Sequence, residues 1–224
     1  MTLSKNRLTI VLILFTFFFI TSCQNSTFSN VIKTAKYSLY GPDNFEITKQ
    51  VVDNIPYACI AAKIGKGQNS VLVLGQASNQ DLIWYSADNA ILITSQGRLV
   101  KTIGFEHNLS NTAWAHNDPI ASHLYGQPIP QTSQRIVDFA EDNNYGIKID
   151  SDYEFMGVGK IKIVDTLHET YVIKEKSYAK QLDWHFENLF WKDLKTGFIW
   201  QSVQHFLPNT PSIKIQVLTP YEAP

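Results

Sequence analysis

From residue 57 to residue 219 the chain is a succession of short runs in which Tyr, Phe, Trp, Ile, Val and Thr alternate with polar residues. That period of two constrains the fold more than any other feature, because alternation commits one face of each run to a core and the other to solvent, the pattern of a half-buried strand. Twelve strands are expected, at 57–64, 70–75, 81–86, 90–94, 98–105, 134–140, 146–149, 157–166, 169–178, 182–193, 198–206 and 212–219. Their connections, such as Ser95-Gln96-Gly97, Asn143-Asn144-Tyr145-Gly146 and Leu194-Lys195-Thr196-Gly197, carry the glycine and asparagine that hairpin turns require, so successive strands should be antiparallel neighbours. Helix is expected at 47–55, where Ile47, Val51 and Ile55 make a stripe ended by Pro56. The stretch 108–130, with three prolines and no clear period, reads as a loop with room for one short helix. A dozen short strands do not lie comfortably in one flat sheet, so the expected fold is mainly β, a single domain curled into a barrel, half-barrel or sandwich.

Ahead of that domain, Lys5 and Arg7 precede an uncharged apolar run at 8–20, 13 residues long. It suits an export signal and falls short of the ~20 residues that span a bilayer. Ile20-Thr21-Ser22-Cys23 resembles the bacterial lipobox, in which the cysteine becomes the lipidated first residue of the mature chain. Two or three acyl chains, at ~0.8 kcal/mol per buried CH₂, anchor a domain durably. The expected organisation is a signal peptide at 1–22, a polar tether at 23–36 and one β-rich domain at 37–224. Gln24 stands where lipoproteins retained at the inner membrane carry Asp, which points to an outer-membrane, periplasm-facing protein.

Losing Lys5 and Arg7 with the signal takes Lys+Arg from 19 to 17 against 20 Asp+Glu, a net charge near −3. Nucleic-acid binders are normally basic, so that class is disfavoured. With Cys23 acylated, Cys59 has no cysteine left to pair with. Its setting, Ala58-Cys59-Ile60-Ala61, is that of a small buried hydrophobe.

Three blocks read together: residues 55–67, IPYACIAAKIGKG; residues 82–88, LIWYSAD, running to 97–104, GRLVKTIG; and residues 186–193, FENLFWKD, running to 197–204, GFIWQSVQ. They resemble the YjbF family of bacterial lipoproteins, which includes the GfcB lipoprotein of group 4 capsule operons. The resemblance implies an outer-membrane lipoprotein encoded with capsule or exopolysaccharide export genes, one of which specifies a large outer-membrane β-barrel, and it implies no catalytic residue. Cys59, where a small polar residue such as Ser is expected, and Lys63, where Arg is expected, depart from the family pattern.

The residues themselves offer little chemistry. No Gly-x-Ser-x-Gly elbow occurs, and the histidines at 107, 116, 123, 168, 185 and 205 form no His-x-x-x-His spacing, so neither a catalytic triad, a zinc site nor a cofactor is expected. His116-Asn117-Asp118-Pro119 and Gly65-Lys66-Gly67 read as turns. Glu141-Asp142 and Asp150-Ser151-Asp152 are candidate glycosidase carboxylates by residue type alone. Pairing Asp193 with Phe198 would set Trp191 opposite Trp200 and Leu189 opposite Ser202, making a core clamp or a platform for a sugar's CH face. Trp84 poses the same choice. Arg98 should sit at a sheet rim, free for an acidic sugar or a partner's carboxylate, or tied in a salt bridge. The expectation is a non-enzymatic lipoprotein that assists polysaccharide assembly or export by docking to an outer-membrane barrel, by binding glycan, or both. The rivals are a polysaccharide hydrolase, which needs two carboxylates facing across an aromatic cleft, and a lipid carrier, which needs a continuous apolar cavity under the sheet.

Overall fold

The computed structural model describes residues 46–114, 117–129 and 131–222. The expected signal, Cys23 and the tether lie outside the described residues. Twelve strands form: β1 (Cys59–Ile64), β2 (Ser70–Ser78), β3 (Asp81–Tyr85), β4 (Ile91–Ser95), β5 (Arg98–Ile103), β6 (Asn111–Trp114), β7 (Thr132–Phe139), β8 (Asn144–Ile163), β9 (Thr166–Ala179), β10 (Trp184–Asp193), β11 (Ile199–Gln204) and β12 (Ile213–Thr219). All belong to one sheet in the order β5-β4-β3-β2-β1-β12-β11-β10-β9-β8-β7-β6. Each strand pairs with a sequence neighbour except where β1 meets β12. The two edge strands then approach each other: the Thr102 amide donates to the Leu109 carbonyl at 2.9 Å, and the Thr112 hydroxyl donates to the Val100 carbonyl at 2.9 Å. The sheet is therefore a nearly closed barrel, which covers edges that would otherwise invite pairing with other chains.

Four local expectations are corrected. The run at 146–149 and residues 157–163 of the run at 157–166 belong to one 20-residue strand, β8, paired with β9 from Asp150 to Ile163. Gly157, at φ +111°, marks a bulge between Phe155 and Gly157 and not a break. The stretch 108–130 holds strand β6 and helix α2 (Pro119–Ser122); four residues are too few for alternation to register. Across β10 and β11 a bulge at Trp191/Lys192 moves the register by one, so Trp191 faces Gln201 and Leu189 faces Val203. Helix α1 (Lys49–Asp53) is shorter than expected because Thr48 caps it, its hydroxyl accepting from the Val51 amide at 3.4 Å.

Two matching 3-10 turns, Ala140–Asp142 and Lys180–Leu182, join β7 to β8 and β9 to β10. Each ends on a residue in the left-handed region, Asn143 (φ 53°) or Asp183 (φ 46°), short polar types that tolerate it. The inward faces carry a larger apolar core, including Ile60, Leu72, Leu92, Phe139, Ile149 and Phe206, and a smaller one of Ile120, Tyr171, Ile173, Phe190 and Ile199. Strand β8 outruns its neighbours: β7 covers it only to Asp152, and β10 covers β9 only from Thr170 onward. Among the described residues, the β8–β9 hairpin beyond Asp152 and Thr170 pairs with no third strand.

Candidate functional site

Polar residues occupy core-facing positions in the middle of the barrel. Along β9 the inward set is Tyr171, Ile173, Glu175, Ser177 and Ala179, and along β10 it is Phe186, Asn188, Phe190 and Lys192. Glu175 is fully buried and accepts from both terminal nitrogens of Arg98 at 3.0 Å each, from Arg135 at 2.8 Å, from Asn188 at 2.7 Å and from the Tyr153 hydroxyl at 3.3 Å. Arg98 turns its other side to Asp118, with Nε donating to Oδ2 at 2.5 Å and Nη2 to Oδ1 at 3.2 Å. Aromatic rings close the cluster: Arg98 lies 5.0 Å from the Trp114 centroid and 4.9 Å from that of Phe190, while Arg135 lies over Trp114 and Phe186. Two cations meet two anions, and the charges are consumed internally.

The electrostatics follow from that arrangement. Burial alone would raise the Glu175 pKa, but Arg135 and Arg98 override it and hold the carboxyl at about 2. Burial likewise opposes the charge on Arg98, yet Asp118 and Glu175 more than compensate and raise its pKa. The cluster joins the two arms of the sheet, since Arg98 is on β5, Trp114 on β6, Arg135 on β7 and Glu175 on β9. Arg98 is 2% exposed and both its forks are occupied, so the salt bridge, and not a free rim guanidinium, is the geometry present. Gln204 adds a second crossing: its amide donates to the Gly97 carbonyl and the Ser202 hydroxyl and accepts from the Leu99 amide.

Lys192 does similar work at one end. Its buried ammonium donates to the Ile120 and Ala121 carbonyls and so holds α2 against the barrel. Burial pulls its pKa down to about 8, with Asp118 opposing. Asp118 also caps α2 through the Ile120 amide at 3.0 Å; His116 lies outside the described residues. The other acidic candidates are dispersed. Glu141 binds Asn108 and Asp142 binds His107, while Asp150 takes a hydrogen bond from Gln134. Asp150 and Asp152 help line an open groove of about 900 Å³ with Lys176 and Glu187. Two residues apart on one strand, they stand side by side and do not face each other across a cleft. Among the described residues no group of three or more His, Cys, Asp or Glu could hold a metal ion.

A cavity of about 550 Å³ opens at the end of the barrel that carries the β2–β3, β4–β5 and β10–β11 turns. Ile60, Leu82, Trp84, Ile215 and Val217 form its inner wall, and Asn79, Gln80, Gln96, Phe198, Trp200 and Tyr221 stand around the opening. Among the described residues, none that lines it is charged. Of the four residues singled out in the sequence, Trp84 and Trp200 meet here, whereas Arg98 and Trp191 do not. Trp84 is core and wall at once, 2% exposed with its indole N–H donating to Thr94 at 2.8 Å. Trp200 stacks on His168 with centroids 3.9 Å apart and donates to Asp193 at 3.3 Å. Sequence reasoning missed Phe198, Tyr221 and Gln96, which are prominent only once three distant turns converge. Beside Leu99 and Arg135 a separate interior space of about 20 Å³ remains, room for about one water.

Fold and site together define a class: a nearly closed antiparallel barrel, self-neutralised inside and open at an uncharged mouth. The family described as Group 4 capsule polysaccharide lipoprotein gfcB, YjbF matches residues 32–218, and the chain belongs to that family. It is 26% identical to the lipoprotein GfcB of Escherichia coli K12 over 203 residues, covering 90% of this chain and 94% of that one. It is 26% identical to the Escherichia coli K12 lipoprotein YjbF over 175 residues, covering 75% of this chain and 78% of the other. The crystal structure of the hypothetical lipoprotein YmcC of Escherichia coli K12 superposes with a TM-score of 0.70 at 25% identity, covering 90% of this chain and all of that chain. Membership makes this a bacterial lipoprotein of a capsule-associated family, and none of these names carries an enzymatic activity.

Proposed function

We propose that this chain is a non-enzymatic, outer-membrane-anchored lipoprotein that faces the periplasm and assists assembly or export of a surface polysaccharide, engaging the glycan at the barrel mouth. The observation that carries this reading is the uncharged mouth, set on a barrel whose buried ionisable groups are bound to one another. General acid–base cleavage of a glycoside needs two free carboxyls astride the substrate, whereas Glu175 and Asp118 are both held by guanidiniums. A second component, docking to an outer-membrane barrel, is favoured by the β8–β9 hairpin beyond its pairing with β7 and β10, where Phe155, Met156, Val158 and Leu167 are exposed. Apolar side chains left in solvent on a projecting element fit a partner surface.

The test is surface polysaccharide in a deletion strain grown under conditions where the neighbouring export genes are expressed. Loss restored by the wild-type gene is expected. An unchanged amount and chain length in the deletion strain would end the reading.

A further inference from the structure

The mouth also specifies what kind of sugar it takes. We infer that it binds uncharged sugar residues, and not acidic sugars or acyl chains; this rests on the glycan-binding reading above. An acidic sugar would find no cation among the described residues lining the cavity, because Arg98 and Arg135 are buried and committed to Glu175 and Asp118. A carboxylate placed there would lose water and gain no counter-charge. An acyl chain would satisfy the inner wall but make no use of the amides at the rim. The exposed Asn79, Gln80 and Gln96 side chains make no hydrogen bond among the described residues, so their donors and acceptors are free for a ligand's hydroxyls.

A neutral sugar matches both features. Its hydroxyls can donate to and accept from primary amides, and its CH face can lie on an aromatic ring. Phe198 and Tyr221 are each 38% exposed at the opening, so ring surface is available there that Trp84, in the wall, does not offer. The backbone that carries Gln96 is also fixed. Gln96 and Gly97 form a two-residue hairpin turn with both residues at positive φ, +47° and +86°, the geometry that joins adjacent antiparallel strands tightly. A Cβ at Gly97 would come within 2.7 Å of Ile199, so this turn packs directly against β11. Glutamine in a left-handed position is uncommon; here it stands at the mouth. About 550 Å³ is within the range of small-molecule sites and fits a short saccharide segment, with the polymer continuing outside.

The experiment uses full-length protein in detergent. The producing cell's surface polysaccharide is partially hydrolysed and split by anion exchange into neutral and acidic oligosaccharides, and laurate is added as the lipid probe. Saturation-transfer NMR and tryptophan fluorescence should detect the neutral fraction, with affinity reduced about tenfold or more by Phe198→Ala or Tyr221→Ala. Gln96→Gly should weaken binding while leaving the melting temperature unchanged or raised, since glycine suits that backbone, which separates ligand recognition from folding. Equal or tighter binding of the acidic fraction or laurate, no binding of the neutral fraction, or indifference to all three substitutions would overturn the inference. If no neutral binding is seen while the deletion strain still loses polysaccharide, the ligand class fails and the assembly role stands. Neutral binding without a polysaccharide defect is the reverse case.

Discussion

Replacing Glu175 by Gln removes one charge from the centre of the barrel and changes its shape little. The native carboxylate accepts five hydrogen bonds, three of them from guanidiniums. In the variant, two buried guanidiniums are left with Asp118 alone, and removing one partner from a buried ion cluster costs about 3–5 kcal/mol. The depressed pKa has the same sign: a carboxyl held at about 2 in place of 4.5 is stabilised by roughly 3 kcal/mol. Because the folded-state pKa is depressed, this stabilisation is complete above pH 4.5 and is lost as pH falls from there through 2. Urea unfolding at pH 7, followed by tryptophan fluorescence, should show the midpoint falling by about 1.5–2.5 M for an m-value of ~2 kcal/mol/M. Stability of the variant should also depend less on pH between 4.5 and 2 than that of the wild type. Adding Arg135→Met should recover a large part of the loss, because Arg98 and Asp118 then balance each other. A midpoint shift under about 0.5 M, or a double variant no more stable than Glu175→Gln, would refute the charge argument.

Other expectations concern single residues. Lys192→Met removes the donor to the Ile120 and Ala121 carbonyls, so amide exchange across α2 should speed up about tenfold or more while the global midpoint moves less than for Glu175→Gln; unchanged exchange there would contradict the pinning role. Cys59 is fully buried, and burial raises its thiol pKa. Mass-spectrometric mapping after treatment with an aromatic disulfide reagent should therefore find it unmodified in native protein and modified in urea, and rapid native labelling would show that the thiol is accessible. Cys23→Ala should abolish fatty-acid incorporation and release the protein from membranes; incorporation that persists would place the lipid elsewhere.

Alternation along each run was enough to anticipate a mainly β fold with nearly every strand in its place, because burial of one sheet face leaves a local trace in sequence. β8 was split by its own polar residues: Asp150, Asp152 and Glu154 face outward while the ladder continues beneath them. The Trp191–Trp200 pairing failed because a single bulge shifts register, and nothing in a turn's composition announces one. Glu175 had a visible signal, an acidic residue at the inward-facing parity of β9, in step with Tyr171 and Ile173. Its partner Arg98 is 77 positions away, so their meeting depends on closure of the barrel. The mouth is less legible still, being assembled from turns between residue 79 and residue 197; only Trp84 and Trp200 stood out in advance, by residue type.

The central claim is that the uncharged mouth serves surface-polysaccharide assembly. It is tested most directly by measuring surface polysaccharide in the deletion strain complemented with wild type or with Gln96→Gly/Phe198→Ala, once matched abundance and melting temperature show that both proteins fold. Polysaccharide restored by wild type and absent or strongly reduced with the mouth variant is the predicted result. Full restoration by the mouth variant would contradict the account.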